Sequence, residues 1–227
     1  MTLNVDLGEL EDEPSELYRI ATQVNIACGG HAGDERSMRR ALAEAAASGA
    51  RVAAHPSYPD RAGFGRKTLA ISPADLGRSI ESQCSSLRAL ADGLAVPVHT
   101  VKPHGALYHD LGKSPALADA FLDAVVRALG EPLAIVGPPG SPLAERVRAR
   151  GLEWIDEGFA DRGYAVDGSL LPRGTHGALL EHPASAAAQA LSLSGRVATI
   201  CVHGDTPGAV AIARAVRDAL EAAGALG

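Results

Sequence analysis

The stretch VHTVKPHGALYHDLGKSPALADAFLDAVVRALG, residues 98–130, holds one complete strand–loop–helix unit. An apolar run at 98–101 is followed by a polar segment that starts at Lys102. Ser114 and Pro115 then form a typical helix start, because Ser caps a helix and Pro suits its first turn. Apolar residues recur at helical spacing as far as Gly130. The stretch therefore predicts a buried strand, a polar loop and an amphipathic helix.

The same unit recurs along the chain. Apolar runs that alternate with helical patterns cover 3–7, 24–27, 51–54, 98–101, 133–136, 154–155 and 197–202. This alternation predicts an α/β protein with parallel strands joined by crossover helices, either a closed barrel or an open doubly wound sheet. The first run is followed by GELED at 8–12, which lacks the GxGxxG of an open dinucleotide-binding sheet. We therefore expect a single βα-barrel domain over residues 1–227.

Charge and composition exclude several classes of protein. The 21 basic and 27 acidic side chains give a net charge of −6, whereas nucleic-acid and anionic-membrane binders are usually basic. No run approaches the ~20 apolar residues of a membrane span, and residues 1–6 do not resemble a signal peptide. Three widely spaced cysteines without a CxxC pair indicate neither a disulfide framework nor a thiolate zinc site. We expect a cytoplasmic protein without nucleic-acid or membrane partners.

Polar side chains follow six of the seven predicted strands. In a parallel α/β protein the carboxyl ends of the strands meet at one site. The residues there are Asp6 and Glu9; Asn25, His31 and Asp34; His55; Lys102 and His104; Glu157, Asp161 and Arg162; and His203 with Asp205. The fifth strand contributes only the turn at 137–140. The sequence therefore predicts one polar site built from many strands.

The residue types at this predicted site suit proton transfer and anion binding. Imidazoles titrate near neutrality and also bind metals, and Asp6, His31, His55, His104 and His203 together can hold a divalent ion. No HxH or HExxH pattern occurs, so we predict no tightly bound metal. Lys102 is one of only three lysines, and its ammonium can stabilise an oxyanion. The glycine-rich segment 55–67 carries three cations that can close over an anionic substrate.

Six motifs resemble those of the LamB/YcsF family. They are NVDLGE at 4–9, NIACGGHAGD at 25–34, HPSYPDR at 55–61, VKPHGALY at 101–108, EGFADR at 157–162 and CVHGDTP at 201–207. That family is the A subunit of bacterial ATP-dependent 5-oxoprolinase. The resemblance implies a seven-stranded βα barrel of the glycoside hydrolase/deacetylase type. It also implies ATP-coupled conversion of 5-oxo-L-proline to L-glutamate, with 5-oxoprolinase subunits B and C as partners.

The resemblance also suggests roles for the strand-end residues. We expect Asp6 and His55 to move protons, and Lys102 and His104 to stabilise charge on the lactam oxygen or phosphate. The expected substrate-binding residues are Glu9, Asn25, His31, Asp34, Tyr58, Arg61, Glu157, Asp161, Arg162 and His203, with Arg61 or Arg162 on the substrate carboxylate. No nucleotide-binding motif is present, so Mg²⁺-ATP is expected to bind mainly with the partner subunits.

Three departures from the family pattern bear on the substrate pocket. Val5 stands where a Cys is usual, the loop after Glu9 is short, and Gly30 replaces a usual Phe, which predicts a wider pocket. Two other functions stay open. The chain can be a metal-dependent carbohydrate hydrolase or deacetylase of the same fold, or a non-catalytic component that binds 5-oxoproline.

Overall fold

A closed barrel of seven parallel strands forms the centre of the computed structural model, which describes residues 1–227. The strands are β1 (Thr2–Leu7), β2 (Gln23–Ala27), β3 (Arg51–His55), β4 (Val98–Val101), β5 (Ala134–Gly137), β6 (Glu153–Phe159) and β7 (Thr199–His203). They follow chain order, and β1 pairs with both β2 and β7, so the sheet has no free edge. The expected parallel barrel is confirmed, and the open-sheet alternative is wrong.

Eight helices connect or follow the strands. They are α1 (Ser15–Ile20), α2 (Glu35–Ser48), α3 (Pro73–Asp92), α4 (Gly105–Asp110), α5 (Pro115–Leu129), α6 (Pro142–Ala149), α7 (Pro183–Leu193) and α8 (Ala209–Ala222). The side chains of Ser72, Ser114 and Ser141, each followed by a proline, accept backbone hydrogen bonds at three helix starts, which confirms the predicted start at Ser114-Pro115. No helix combines the length and the apolar character that crossing a bilayer requires.

Two strands and one helix differ from the sequence pattern at their ends. β6 continues to Phe159, past polar residues that interrupt the apolar run at 154–155. Glu157 is tolerated there because its side chain faces the barrel interior, where it pairs with Lys102. β7 starts at Thr199, two residues later than the apolar run. The Thr-Pro pair at 206–207 resembles the Ser-Pro helix starts, but α8 begins at Ala209 because the Thr206 hydroxyl bonds to Asp161 instead of capping the helix.

Apolar packing lies mainly outside the barrel, between the strands and the helices. A single cluster of 49 buried residues joins outward-facing strand residues such as Val5 to helix residues such as Leu87 and Phe121. Inside the barrel, polar side chains bond to one another. The Asn4 amide donates to Glu157 Oε1 at 3.0 Å and to Thr199 Oγ1 at 2.8 Å. The fold therefore separates an apolar layer from a polar interior that leads up to the site.

Leu87 provides a test of the packing outside the barrel. Leu87 is fully buried in α3, whereas Leu94, just beyond the same helix, is 45% exposed. We expect Leu87→Ala to lower the free energy of unfolding by about 2–5 kcal/mol, since it removes buried methyl groups and leaves a cavity. Leu94→Ala should change it by less than about 0.5 kcal/mol. Urea unfolding followed by circular dichroism measures both, and equal losses would contradict this packing.

Candidate active site

A cavity of about 420 Å³ opens at the carboxyl ends of the strands. The four residues predicted to be catalytic, which are Asp6, His55, Lys102 and His104, all line it. They belong to β1 and β3 and to the segment after β4. Among the predicted substrate-binding residues, Arg162 and His203 also line this cavity. Barrel closure thus brings together side chains that lie as far apart in sequence as Asp6 and His203.

Lys102 is held between two carboxylates at the base of the cavity. Its Nζ lies 2.8 Å from Asp6 Oδ1 and 3.0 Å from Glu157 Oε1, and its side chain is only 3% exposed. It also lies 3.0 Å from Cys201 Sγ. Burial on its own would lower the pKa of Lys102, but the negative charge of Asp6 raises that pKa well above its usual value. Lys102 is therefore a fixed ammonium ion.

Asp6 presents one carboxylate oxygen to the protein and the other toward the histidines. Oδ1 accepts hydrogen bonds from Lys102 and, at 2.7 Å, from the Asn25 amide. Oδ2 faces the Nε2 atoms of His55, at 3.5 Å, and His203, at 4.0 Å. Burial would raise the pKa of Asp6, but the Lys102 and His55 charges hold it well below its usual value. Asp6 is thus an ionised carboxylate with Oδ2 turned toward the cavity.

Glu9 and three histidines form a second buried cluster beside Asp6. Glu9 Oε1 lies 2.9 Å from His31 Nε2 and 3.3 Å from His104 Nδ1, and the His31 and His104 rings stack at 3.6 Å. Burial lowers the pKa of His31 to about 4 and also lowers that of His104. Burial favours a raised pKa for Glu9, but the neighbouring His104 and His31 side chains lower it. The pKa of His55 is raised, since the attraction of Asp6 outweighs burial.

Asp161 fixes the orientation of His203. Its Oδ2 accepts from the backbone N–H of His203 at 3.0 Å and from the Thr206 hydroxyl at 2.6 Å, and Oδ1 lies 2.9 Å from His203 Nδ1. His203 Nδ1 therefore donates to Asp161, and Nε2 is left facing Asp6 and the cavity. Burial would raise the pKa of Asp161, but the His203 charge lowers it. Asp161 acts on the site through His203 and does not line the cavity itself.

Three arginines give the cavity a positive wall. Arg162 and Arg173 lie on the segment 160–182 between β6 and α7, and Arg66 comes from the loop after β3. The Arg162 guanidinium donates to two backbone carbonyls, at 2.7 and 3.1 Å. Arg66 pairs with Asp205, and Arg173 has neither a hydrogen bond nor a salt bridge. Phe159, Leu170 and Leu171 add apolar surface to the same cavity.

Three predicted substrate-binding residues lie away from the cavity. The exposed Asp34 caps α2 and shares a capping box with Ser37. Arg61 donates to two backbone carbonyls of the loop after β2, at 2.7 and 3.1 Å. Tyr58 is fully buried, and its hydroxyl lies 3.2 Å from Asp110 Oδ2. In this structure the side chains of Asp34, Arg61 and Tyr58 therefore contact other parts of the protein and do not line the cavity.

Several residues of the site have no counterpart in the sequence prediction. Asn4 and Cys201 each lie two residues before a predicted site residue on the same strand, so the period of two along a strand places them on the inner face. The alternation of inward and outward side chains along a strand could therefore have identified Asn4 and Cys201 from the sequence. Arg173 and Leu170 come from the long segment before α7, where no strand end marks them.

Gly30 does not widen the cavity, contrary to expectation. A Cβ atom at this position would lie 2.4 Å from Gln83 Oε1 and 2.5 Å from Ser57 Oγ. These two polar groups belong to α3 and to the turn after β3, and neither lines the cavity. The missing side chain therefore leaves room for Gln83 and Ser57, and the cavity size is set elsewhere.

Comparison with known proteins gives consistent matches over the whole length. The model of the LamB/YcsF family matches residues 1–226. The chain is 43% identical to the A subunit of 5-oxoprolinase from Nocardia farcinica, over 99% of this chain and 96% of that protein. It is 42% identical to the A subunit of 5-oxoprolinase from Methylococcus capsulatus, over 98% and 92% of the two chains.

Solved structures agree with these matches. The lactam utilization protein of Thermus thermophilus superposes with a TM-score of 0.90 at 34% identity, over 99% of this chain and 97% of that one. A family 4 carbohydrate esterase of Streptomyces lividans shares the fold, with a TM-score of 0.57 at 12% identity over 100% and 91% of the two chains. The full-length family match and the sequence identities lead to one conclusion: the chain belongs to the LamB/YcsF family.

Proposed function

We propose that the chain is the catalytic A subunit of an ATP-dependent 5-oxoprolinase, which converts 5-oxo-L-proline to L-glutamate. The observation that carries this proposal is the 43% identity, over 99% of the chain, with a protein of that name. Subunits B and C are the proposed partners, and Mg²⁺-ATP is the proposed co-substrate. The use of ATP also supports the expected cytoplasmic location.

The cavity suits a small anionic lactam. Its wall carries Arg162 and Arg173, and a guanidinium can bind a carboxylate through two parallel hydrogen bonds. Arg173 has no partner in the protein, so its donors are available to a ligand. Arg61 does not line the cavity, whereas Arg162 and Arg173 do, so we assign the substrate carboxylate to these two residues.

Asp6 is the proposed base. Its ionised Oδ2 faces the cavity and can accept the ring N–H proton of the lactam. Lys102, at 2.8 Å from Oδ1, keeps Asp6 charged before the reaction and places a positive charge at the cavity base. Positioned acid–base groups typically contribute ~100- to 10,000-fold to a rate. His55 and His104 line the same base, but the N–H groups of His55 Nδ1 and His104 Nε2 donate to backbone carbonyls. Lys102 is therefore the group proposed to stabilise negative charge on the lactam oxygen or phosphate.

Phosphorylation makes ring opening feasible. Once the ring N–H proton is removed, the lactam oxygen attacks the γ-phosphorus of ATP and ADP leaves. Water then adds to the ring carbon, the C–N bond breaks, and the nitrogen takes up protons to become the amine of glutamate. The resulting acyl phosphate reacts with a second water, which releases inorganic phosphate. The overall reaction consumes one lactam, one ATP and two waters.

The nucleotide is proposed to bind with the partner subunits. The chain contains no GxxxxGK[ST] loop, and Gly105 is the one glycine that lines its cavity. The phosphoryl group would then reach the lactam from the open side of the cavity.

Reconstitution tests the proposal. The chain alone, the partner subunits B and C alone, and the mixture are each incubated with 5-oxo-L-proline and Mg²⁺-ATP, and glutamate is measured. We expect glutamate only from the mixture. Glutamate production by the partner subunits without this chain would show that the chain is not needed for catalysis. If the mixture releases no glutamate, the proposed reaction is excluded.

The pair of Lys102 and Asp6 gives a direct mutational prediction. We expect Asp6→Asn and Lys102→Met each to reduce turnover by the mixture at least ~100-fold, since one removes the base and the other its counter-charge. Lys113→Met is the matched control, because Lys113 pairs with Asp110 at the surface and is 73% exposed. Circular dichroism checks that each variant is folded. Near-normal turnover in a folded Asp6→Asn variant would rule out Asp6 as the base.

Arg173 gives a prediction about substrate binding. We expect Arg173→Ala to raise KM for 5-oxo-L-proline about 10- to 100-fold and to change kcat less, because a charge-assisted hydrogen bond in the ground state is lost. Arg148→Ala, at an exposed position on α6, should leave both parameters unchanged. Steady-state kinetics of the reconstituted mixture measures the two variants. A fall in kcat at constant KM would instead assign Arg173 to a step after binding.

A further inference from the structure

Glu9, His55 and His104 bring three acceptor atoms to one point beside the cavity. Glu9 lies in the loop after β1, His55 ends β3 and His104 follows β4. His55 is 1% exposed and His104 6%, and the Glu9 side chain is 3% exposed. Water is therefore largely excluded from the point where they meet. The protons on the two imidazoles decide what this point can bind.

Backbone carbonyls determine which ring nitrogens carry protons. His55 Nδ1 lies 2.7 Å from the Lys102 carbonyl oxygen, and His104 Nε2 lies 2.9 Å from the Phe64 carbonyl oxygen. A carbonyl oxygen only accepts, so both of these nitrogens must be N–H donors. In the neutral rings, His55 Nε2 and His104 Nδ1 are then bare lone pairs. These two bare nitrogens face each other at 3.0 Å.

The carboxylate of Glu9 completes the set. Its Oε1 lies 3.3 Å from His104 Nδ1 and 3.7 Å from His55 Nε2. This arrangement of three acceptor atoms is favourable only when a positive charge lies between them, which is either a proton on His55 Nε2 or a metal ion. A tetrahedral zinc ion with bonds of 2.0–2.1 Å separates its ligand atoms by about 3.3–3.4 Å. The three observed separations, 3.0, 3.3 and 3.7 Å, bracket that value.

The surroundings match those of metal ligands. Metal-binding histidines typically donate their second ring N–H to a backbone carbonyl or a carboxylate, as His55 and His104 do here. His31 donates from Nε2 to Glu9 Oε1 at 2.9 Å, which leaves its Nδ1 buried without a partner. The His31 ring stacks parallel to His104 at 3.6 Å, so its own lone pair cannot point at the same ion as that of His104. His31 therefore orients Glu9.

We propose that Glu9, His55 and His104 bind one divalent transition-metal ion of the zinc type, and that His31 positions Glu9 for it. Two imidazoles and one carboxylate are a ligand set typical of zinc and of non-haem iron, with further positions open to a ligand. When bound, such an ion polarises a carbonyl or phosphoryl oxygen. The sequence predicted no tightly bound metal because the three ligands come from separate strands without a local motif. The inference does not depend on the proposed reaction.

Metal binding to the purified chain tests this site directly. Tag-free protein is stripped with a chelator and titrated with Zn²⁺ by calorimetry, and Co²⁺ reports the coordination geometry by its visible spectrum. We expect one ion per chain with micromolar or tighter affinity and a zinc-dependent rise in Tm. The absence of Zn²⁺ binding would overturn the proposal and leave a proton shared between His55 and His104.

Variants separate ligands from the positioning residue. We expect Glu9→Gln and His104→Asn to weaken Zn²⁺ binding more than about 100-fold, and His31→Asn to weaken it about 10- to 100-fold, as loss of an orienting group does. His99→Asn is the matched control, since His99 is exposed on β4. Glu9→Gln preserves the shape of the side chain, so a folded variant is expected. Unchanged Zn²⁺ binding in both ligand variants would place the ion elsewhere and overturn the assignment.

Discussion

The buried ammonium of Lys102 between Asp6 and Glu157 is the interaction on which the rest of the structure depends. Taking an ion out of water costs several kcal/mol, and this cost is offset only when the charges are paired and their remaining hydrogen-bonding positions are filled. Asn4 and Asn25 supply those hydrogen bonds from β1 and β2. The same groups therefore hold β1, β2, β6 and the segment after β4 in register and set the charge at the base of the cavity.

The sequence predicted most of the residues at the base of the cavity, because one topological rule governs them. Once parallel strands are recognised, Asp6, His55, Lys102 and His203 must meet at the carboxyl edge, whatever their distance in sequence. The barrel was harder to distinguish from an open sheet, because both have the same alternation of strands and helices. Closure depends on the pairing of β1 with β7, which leaves no local mark in the sequence.

Positions within loops were predicted less well for a physical reason. A residue after a strand can turn toward the cavity, cap the next helix or brace the loop, and its neighbours in space decide which. Asp34 caps α2 and Arg61 binds carbonyls, although both carry charges that suit a substrate. Arg173 shows the reverse case, since it faces the cavity from a segment without any strand-end signal. The Glu9 cluster likewise depends on ring orientation, which spacing in sequence does not encode.

The cavity has two parts of different origin. Its base is made of barrel residues locked by buried ion pairs, whereas the wall with Arg173 belongs to the segment 160–182, where Val166 is fully exposed. Substitutions in the base disturb charge pairs that also hold the strands, but a substitution at an unpaired wall residue such as Arg173 changes only a group that meets the incoming ligand. Sequence changes in this one surface segment can therefore change which acid binds in the cavity, without changing the reactive groups at its base.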